Sequence, residues 1–380
     1  MKKTITKANG FIQQGKIDIC FLSLVLILLT VGLIMLFSAS YAYALTYFNN
    51  SFHFIIRQAC FAVIGIIVMF ALSKVNYHWY MKFSWLIYGI SVILLALLLI
   101  LPPMISGVDY KRWMVIGPIS FQPSEIAKFS IVLLFSVLIS KNQTRMKEFK
   151  FGIVTLGVLL ASVCGLVLFE THLSATVLIF SIGVVLMLVG GAKVSQMLMV
   201  GLCAVCAGAG AILTGIVDYG SDRITYWLNP WADATGLGYQ TIQSLLAIGS
   251  GGLMGRGIGQ SRQKYLWVPE PHNDFIFSVT CEELGYIGAL VIILLFCALV
   301  WRGFVISMRT PDKYGSLMAL GLTFQVGIQA ALNVLVVTNT IPNTGISLPF
   351  FSYGGTALLL LLAQMGIVLS ISRGASLAKA

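Results

Sequence analysis

Apolar residues fall into runs at 17–39, 53–73, 82–102, 123–140, 150–169, 172–190, 194–216, 274–301, 314–338 and 350–371, separated by polar stretches. A helix needs about 20 mostly apolar residues to cross bilayer hydrocarbon, and only helices and closed barrels satisfy their backbone groups there. The pattern predicts an all-α, polytopic integral membrane protein of about ten transmembrane helices, with modest tilt in the longer ones. The weakest division lies within 150–190, where Glu170-Thr171-His172 alone makes two short spans of one apolar stretch. One connection stands apart, the 57 residues of 217–273. Long loops without a core of their own are uncommon in compact folds, so this one is expected to be functional.

Basic residues orient the spans. Lys74 and Lys82, then Lys141, Arg145, Lys147 and Lys150, then Lys193, then Arg302, Arg309 and Lys313, and finally Arg373 and Lys379 fall at alternate connections. By the positive-inside rule those connections and both termini are cytoplasmic, and 217–273 is a large extracytoplasmic loop between helices 7 and 8. The first run follows Lys2, Lys3, Lys7 and Lys16 without a convincing small-residue cleavage site, so it reads as a signal-anchor helix. With 58% hydrophobic and 10% charged residues the chain leaves no room for a separate soluble domain. Residues 1–380 are therefore expected to form a single membrane domain, with 1–16 as a cytoplasmic tail. The net charge of +11 is scattered over short loops rather than gathered on a face, which reports topology and argues against nucleic acid. The seven cysteines lie in apolar runs, where a thiol behaves as a small hydrophobe; Cys203-Ala-Val-Cys206 has redox spacing but no strand-helix context around it.

Ionisable residues at the outer ends of the spans are the candidates for chemistry. In Val268-Pro-Glu-Pro-His-Asn-Asp274 a carboxylate sits where the long loop enters the eighth helix. Capping and the helix dipole favour an acid there, so Asp274 has a structural reading beside the catalytic one. Ser278, Cys281, Glu282 and Gly285 continue on roughly the same side, with Glu282 ~12 Å deeper and Glu283 pointing to the opposite side. One of the two glutamates is thus expected to tie the helix to a neighbour rather than face a cavity. Glu125 and Lys128, three apart at the start of the fourth helix, form either a structural ion pair or a charged-ligand site. Arg112-Trp113 reads as a ligand contact or an interfacial anchor, and Glu170 and His172 occupy a tight outer turn. The glycine-rich 249–259 segment matches no phosphate-binding motif, yet its backbone could approach a pyrophosphate with charge from Arg256, Arg262 and Lys264. No spacing of His, Cys, Asp and Glu makes a zinc site.

Taken together these segments resemble the SEDS family of polytopic membrane proteins, whose branches are FtsW, RodA and SpoVE. The resemblance runs over nearly the whole chain. It rests on Arg112-Trp113, Gly117-Pro-Ile-Ser-Phe-Gln-Pro-Ser-Glu125-Ile-Ala-Lys128, Asn229-Pro-Trp-Ala-Asp233, Gly238-Tyr-Gln240 with Gln243-Ser244, and Ala247-Ile-Gly-Ser-Gly-Gly252. It continues in Pro269-Glu-Pro-His-Asn-Asp274-Phe-Ile-Phe277, Glu282-Glu-Leu-Gly285, Pro342-Asn-Thr-Gly345 and Leu348-Pro-Phe-Phe-Ser352-Tyr-Gly-Gly355. Asn229–Asp233 and Gln260-Ser-Arg-Gln-Lys264 look more like the FtsW and SpoVE branch than RodA. Phe169-Glu-Thr-His-Leu-Ser174 departs from the Pro-Asp-Leu-Gly-Thr stretch of many relatives, so a role for that aspartate does not transfer.

The resemblance implies a peptidoglycan glycosyltransferase of the bacterial inner membrane that polymerises lipid II at a division or sporulation septum. Asp274 is then the catalytic carboxylate, and Arg112, Trp113, Glu125, Lys128, Glu170, Gln243, Ser244, Arg256, Glu282 and Ser352 are candidate substrate contacts. Its implied partners are lipid II, a class B penicillin-binding protein, other divisome or sporulation membrane proteins, and membrane lipid. Glycosyl transfer from a lipid pyrophosphate needs one base and much positive charge, and is compatible with Mg2+ or Mn2+, although no metal cage is legible. Two other functions fit a membrane protein with charged outer ends: a lipid II flippase, and a non-catalytic septal scaffold for the penicillin-binding protein.

Overall fold

The computed structural model describes residues 15–101, 112–117, 119–201, 221–236 and 238–377. Lys111, Cys203, Cys206, Lys379, much of the 103–122 loop and most of the expected 194–216 span lie outside the described residues. Nine helices among those described are long and apolar enough to cross a membrane. They are α1 (Ile19–Phe48), α2 (His53–Lys74), α3 (Ser84–Ile100), α4 (Pro123–Lys141), α5 (Leu156–Phe169) and α6 (Leu173–Gly190). After the outer segment come α9 (Ile276–Arg309), α10 (Lys313–Val337) and α11 (Gly355–Leu377). Short turns of other helix types lead into two of them, Tyr77–Phe83 into α3 and Lys150–Thr155 into α5. A further helix begins at 194 and is described to 201, where the hydropathy pattern predicts the seventh span.

Hydropathy and burial are opposed along the chain, for a reason set by the solvent. α4, α10 and α11 have the lowest mean hydropathy of the spans, 1.6, 1.7 and 1.9, and are the most enclosed, at 72%, 61% and 61%. α2 and α3, at 2.3 and 2.5, are enclosed to only 22% and 28%. A helix facing lipid must be apolar all round, whereas one surrounded by helices can carry polar groups if they find partners. The bundle therefore has α4, α10 and α11 at its centre. Backbones approach closely where side chains are small: at Gly366 on α11 the Met69 carbonyl of α2 occupies the space a Cβ would need.

Both described ends meet on the basic face. Asp18 caps α1 through the Phe21 amide at 2.9 Å and pairs with Arg302 at 2.7 Å. Arg373 donates to the carbonyls of Gly15 and Ser73 at 2.7 and 2.9 Å. Asp312, the cap of α10, accepts from Gly315 at 2.8 Å and from the Tyr77 hydroxyl.

Three boundaries differ from the hydropathy pattern. α1 continues to Phe48, because Ala39, Ser40, Ala42 and Ala44 are buried against neighbours, and it ends at Asn49 in a left-handed conformation. α9 extends to Arg309, carrying Arg302 and Arg309 inside its last turns. α11 starts at Gly355, since Phe350 takes a φ of 67° and turns the chain before it. The long outer segment is not a plain loop: it forms α7 (Ser221–Leu228), a 3-10 turn at Pro230–Asp233 and α8 (Tyr239–Gly251), followed by an irregular strap to the start of α9. A small hairpin of β1 (Met114–Ile116) and β2 (Ile119–Phe121), in register Met114 with Phe121, leads into α4.

Candidate active site

The outer face holds a cavity of about 410 Å³ with Asp274, Arg112, Gln240 and Asn343 in its wall and Tyr226, Trp227 and Tyr239 beside them. That volume is in the range of small-ligand sites. Asp274 does not cap α9. The cap position is Phe275, and no side chain bonds to the helix start. Instead the segment before α9 is held by its main-chain carbonyls. Asn333 donates to the Asp274 carbonyl at 2.7 Å, Ser352 to that of Asn273 at 2.8 Å, and the Tyr353 amide to that of His272 at 2.9 Å. The last of these bonds ties the strap to the 348–353 loop. With the backbone fixed in this way, the Asp274 side chain is left to face the cavity, half-buried. Gly345 forms the opposing wall at φ 68°, where a Cβ would lie 3.2 Å from Asp274 Oδ2. Burial pushes the Asp274 carboxyl up to about 6, Glu270 adds to the rise, and the Arg112 guanidinium pulls against it.

Arg112 reaches the cavity from the start of the hairpin and donates to the Thr171 carbonyl at 2.6 Å. Thr171 adopts a φ of 57° in the tight turn between α5 and α6. Behind this turn Glu170 is buried, with both carboxylate oxygens lacking a partner among the described residues. Burial lifts it to about 8, against the pull of Arg112. His172, packed at 3.3 Å from Gln122, is lowered to about 3 by burial and then by Arg112 and Lys128. Ser174 donates to the Thr344 carbonyl, so the turn braces the cavity wall from outside. Glu170 and Trp113 are not in that wall.

Other expected contacts lie elsewhere. Lys128 is 3% exposed and bonds to Glu125 at 2.7 Å and Gln329 at 3.0 Å, so the Glu125–Lys128 pair is satisfied inside the bundle. Ser244 donates to the Val337 carbonyl at 2.9 Å and Gln243 is buried on α8, while their helix neighbours Tyr239 and Gln240 face the cavity. Ser352 supports the Asn273 backbone rather than the cavity wall. Arg256 lies 3.6 Å from Glu282 and donates to the Ser250 carbonyl at 3.2 Å.

Glu282 and Glu283 correct the expectation that one acid would face a cavity. Glu282 accepts from the Ser261 hydroxyl at 2.5 Å and the amides of Arg262 and Gln263 at 3.0 and 3.2 Å. Glu283 pairs with Lys264 at 2.9 Å and accepts from Ser38 of α1. Lys264, expected to supply charge to a pyrophosphate, is thereby buried and neutralised. Both acids grip one strap because the strap wraps the helix. α9 is interrupted at Gly285 (φ 70°, ψ −173°). There Arg256 and Gly257 donate to the carbonyls of Glu282 and Glu283, both at 3.0 Å, and Tyr286 and Ile287 donate back to Gly252 and Leu253. The cavity residues that residue-by-residue reading misses are Tyr226, Trp227, Tyr239, Gln240, Asn343 and Thr344. Tyr239, Gln240, Asn343 and Thr344 do carry a signal, since they stand in segments that carry the resemblance, whereas Tyr226 and Trp227 are marked only by the aromatic residues concentrated in the 217–273 connection.

Among the described residues no group of three His, Cys, Asp or Glu side chains is placed to hold a metal ion. Asp274 is the one carboxylate among the described residues of the cavity wall.

The fold and site define a multi-pass membrane protein with a ligand-sized outer cavity built around one carboxylate and one guanidinium. Residues 18–377 match the model of the cell cycle protein family FtsW/RodA/SpoVE, and the chain belongs to that family. It is 40% identical over 357 residues to stage V sporulation protein E of Bacillus subtilis (strain 168), covering 94% of this chain and 97% of that protein. It is 35% identical over 364 residues to a probable peptidoglycan glycosyltransferase FtsW of Geobacter sp. (strain M18), covering 94% and 98%. A chain of the structure described as "Structural coordination of polymerization and crosslinking by a peptidoglycan synthase complex" superposes with a TM-score of 0.79 at 27% identity, over 94% of this chain and 98% of that one. The rod shape determining protein RodA of Thermus thermophilus gives 0.69 at 27% identity, over 94% and 97%.

Proposed function

We propose that this protein is a peptidoglycan glycosyltransferase that polymerises lipid II on the outer face of the membrane, with Asp274 as its general base. The observation that carries the reading is a half-buried carboxylate, its backbone clamped and its side chain open to a 410 Å³ cavity that also holds Arg112. In the reaction an acceptor hydroxyl attacks an anomeric carbon. The new C–O bond forms as the bond to the lipid pyrophosphate breaks, the hydroxyl proton passes to Asp274, and the pyrophosphate leaves with the electron pair. A stable anion leaves, so no acid partner of the glycosidase kind is needed, and Arg112 takes up its charge. Tyr226, Trp227 and Tyr239 offer apolar faces to sugar rings. Mg2+ or Mn2+ would have Asp274 as its one carboxylate among the described cavity residues and would offset the charge of the leaving pyrophosphate.

The likeness to the FtsW and SpoVE proteins supports action at a division or sporulation septum, and the likeness to the synthase complex supports work beside a cross-linking class B penicillin-binding protein. The test is polymerisation of purified lipid II by the purified protein, with and without its cognate class B partner, comparing wild type with Asp274→Asn. Glycan chains from wild type alone are expected; equal chains from both would remove Asp274 as the base. A scaffold would make none under any condition.

A further inference from the structure

The Glu125–Lys128 pair has no part in the reaction above, and α10 shows what it is connected to. Gln325, Gln329 and Asn333 stand four residues apart on α10, hence along one face, and all three are buried. Polar groups at this depth are costly unless paired. Each of the three side chains has at least one partner, although Gln325 Oε1 and Asn333 Oδ1 have none among the described residues. Gln325 donates to Gln364 of α11 at 3.2 Å. Gln329 accepts from Lys128 at 3.0 Å and donates to the Ser347 carbonyl at 3.0 Å and hydroxyl at 3.2 Å. Asn333 donates to the carbonyls of Ile346 and Asp274 at 2.6 and 2.7 Å.

We propose that this ladder of amides is the positioning element of the active site, and that Lys128 acts through it on Asp274 rather than by touching substrate. The inference rests on the reading of Asp274 as the base. Two facts exclude direct contact. Lys128 is 3% exposed, and the cavity beside the pair, lined by Glu125, Gln325 and Gln329, is about 40 Å³. That is room for a water or two, not for a pyrophosphate.

The chemistry of the rungs explains how position is passed on. An ammonium only donates, so Lys128 forces the Gln329 oxygen toward itself and the Gln329 nitrogen toward Ser347. Without the ammonium the amide is free to flip, which would set its oxygen against the Ser347 carbonyl. Residues 346 and 347 are therefore held from two rungs, and Asn333 staples 346 to 274. Gly345, next to that staple, is the wall against Asp274 Oδ2. Displacement of this loop moves the wall relative to the carboxylate.

The test uses three full-length proteins: Gln329→Leu, Asn333→Leu, and Lys128→Met combined with Glu125→Gln so that no lone buried charge remains. Two quantities are read, the kcat and KM of polymerisation and the pH dependence of carbodiimide labelling of Asp274 by peptide mass, which needs no turnover. For Gln329→Leu and the double variant kcat should fall on the order of tenfold, and for Asn333→Leu about a hundredfold, with KM within about twofold. In all three the labelling midpoint of Asp274, otherwise set by its burial and then by Glu270 and Arg112, should move. A raised KM with unchanged kcat and unchanged labelling in the double variant would make Lys128 a substrate contact and overturn the proposal. Wild-type kcat and labelling in Gln329→Leu would overturn it too. Should the wild-type protein polymerise nothing, the reaction falls, while the labelling still decides whether the ladder sets Asp274.

Discussion

α9 and its entry present carboxylates in two settings, only a short stretch of chain apart. Glu282 and Glu283 are buried and saturated by hydroxyl, amide and ammonium donors from the strap and α1. Asp274 is half-buried, its backbone carbonyl bonded and its carboxylate turned to a cavity. A buried charge whose partners are all supplied by the protein is part of the architecture, and removing one partner leaves an uncompensated charge. A carboxylate held above its ordinary range and left to face a cavity is poised for work rather than for folding. What distinguishes the two kinds of acid is the supply of donors: the strap and α1 saturate Glu282 and Glu283, and Asp274 is left to the cavity.

Substitution tests that difference most sharply at Asp274. Asp274→Asn should reduce polymerisation by about 10²- to 10⁴-fold, the usual contribution of a general base, in the lipid II assay. The same change should raise thermal stability by about 1–2 kcal/mol, after allowance for the opening onto the cavity. The sign follows from the direction of the shift. The folded value of about 6 lies above the ordinary 3.8, so the folded chain takes up a proton between them and wild-type stability rises as pH falls through about 6. Activity should fall over the same range, because the base must be ionised.

Glu283→Gln should act the other way, costing about 3–5 kcal/mol in a detergent melt by stranding Lys264, with partial recovery in the Glu283→Gln, Lys264→Met pair. If Glu283→Gln melts like wild type while kcat collapses, the comparison breaks. Gly345→Ala sits between the two behaviours. It strains a φ of 68° and brings a methyl to 3.2 Å from Asp274 Oδ2. Stability should then drop by about 1 kcal/mol and kcat by about tenfold. The smallest effect belongs to Glu170→Gln. With a folded value near 8 this acid is mostly protonated at neutral pH, so the amide should leave polymerisation at pH 7 within about twofold. It should also remove the loss of stability that wild type shows as pH rises from about 4.5 to 8.

The spans, their alternation across the membrane and the prominence of Asp274 are legible in the chain before any folding is considered. Each depends on a property carried by neighbouring residues alone: the apolar length needed to cross a bilayer, the bias of Lys and Arg to inner loops, and a contiguous motif around Asp274. Residues whose roles depend on a distant partner are less legible. Glu282 and Lys264 look like cavity residues because their spacing places them on a promising side of a helix or beside a promising segment, and Ser244 because it stands in a segment that carries the resemblance. Spacing along one helix does not reveal a strap that crosses a break at Gly285 to engage both faces. Nor does it show that Lys128 meets Gln329, 201 positions away in the chain, or that Asn333 meets the Asp274 carbonyl. Which polar group is matched inside the protein and which is left to a ligand is settled only when the helices and the strap come together, because hydrogen-bond satisfaction is a property of neighbours in space.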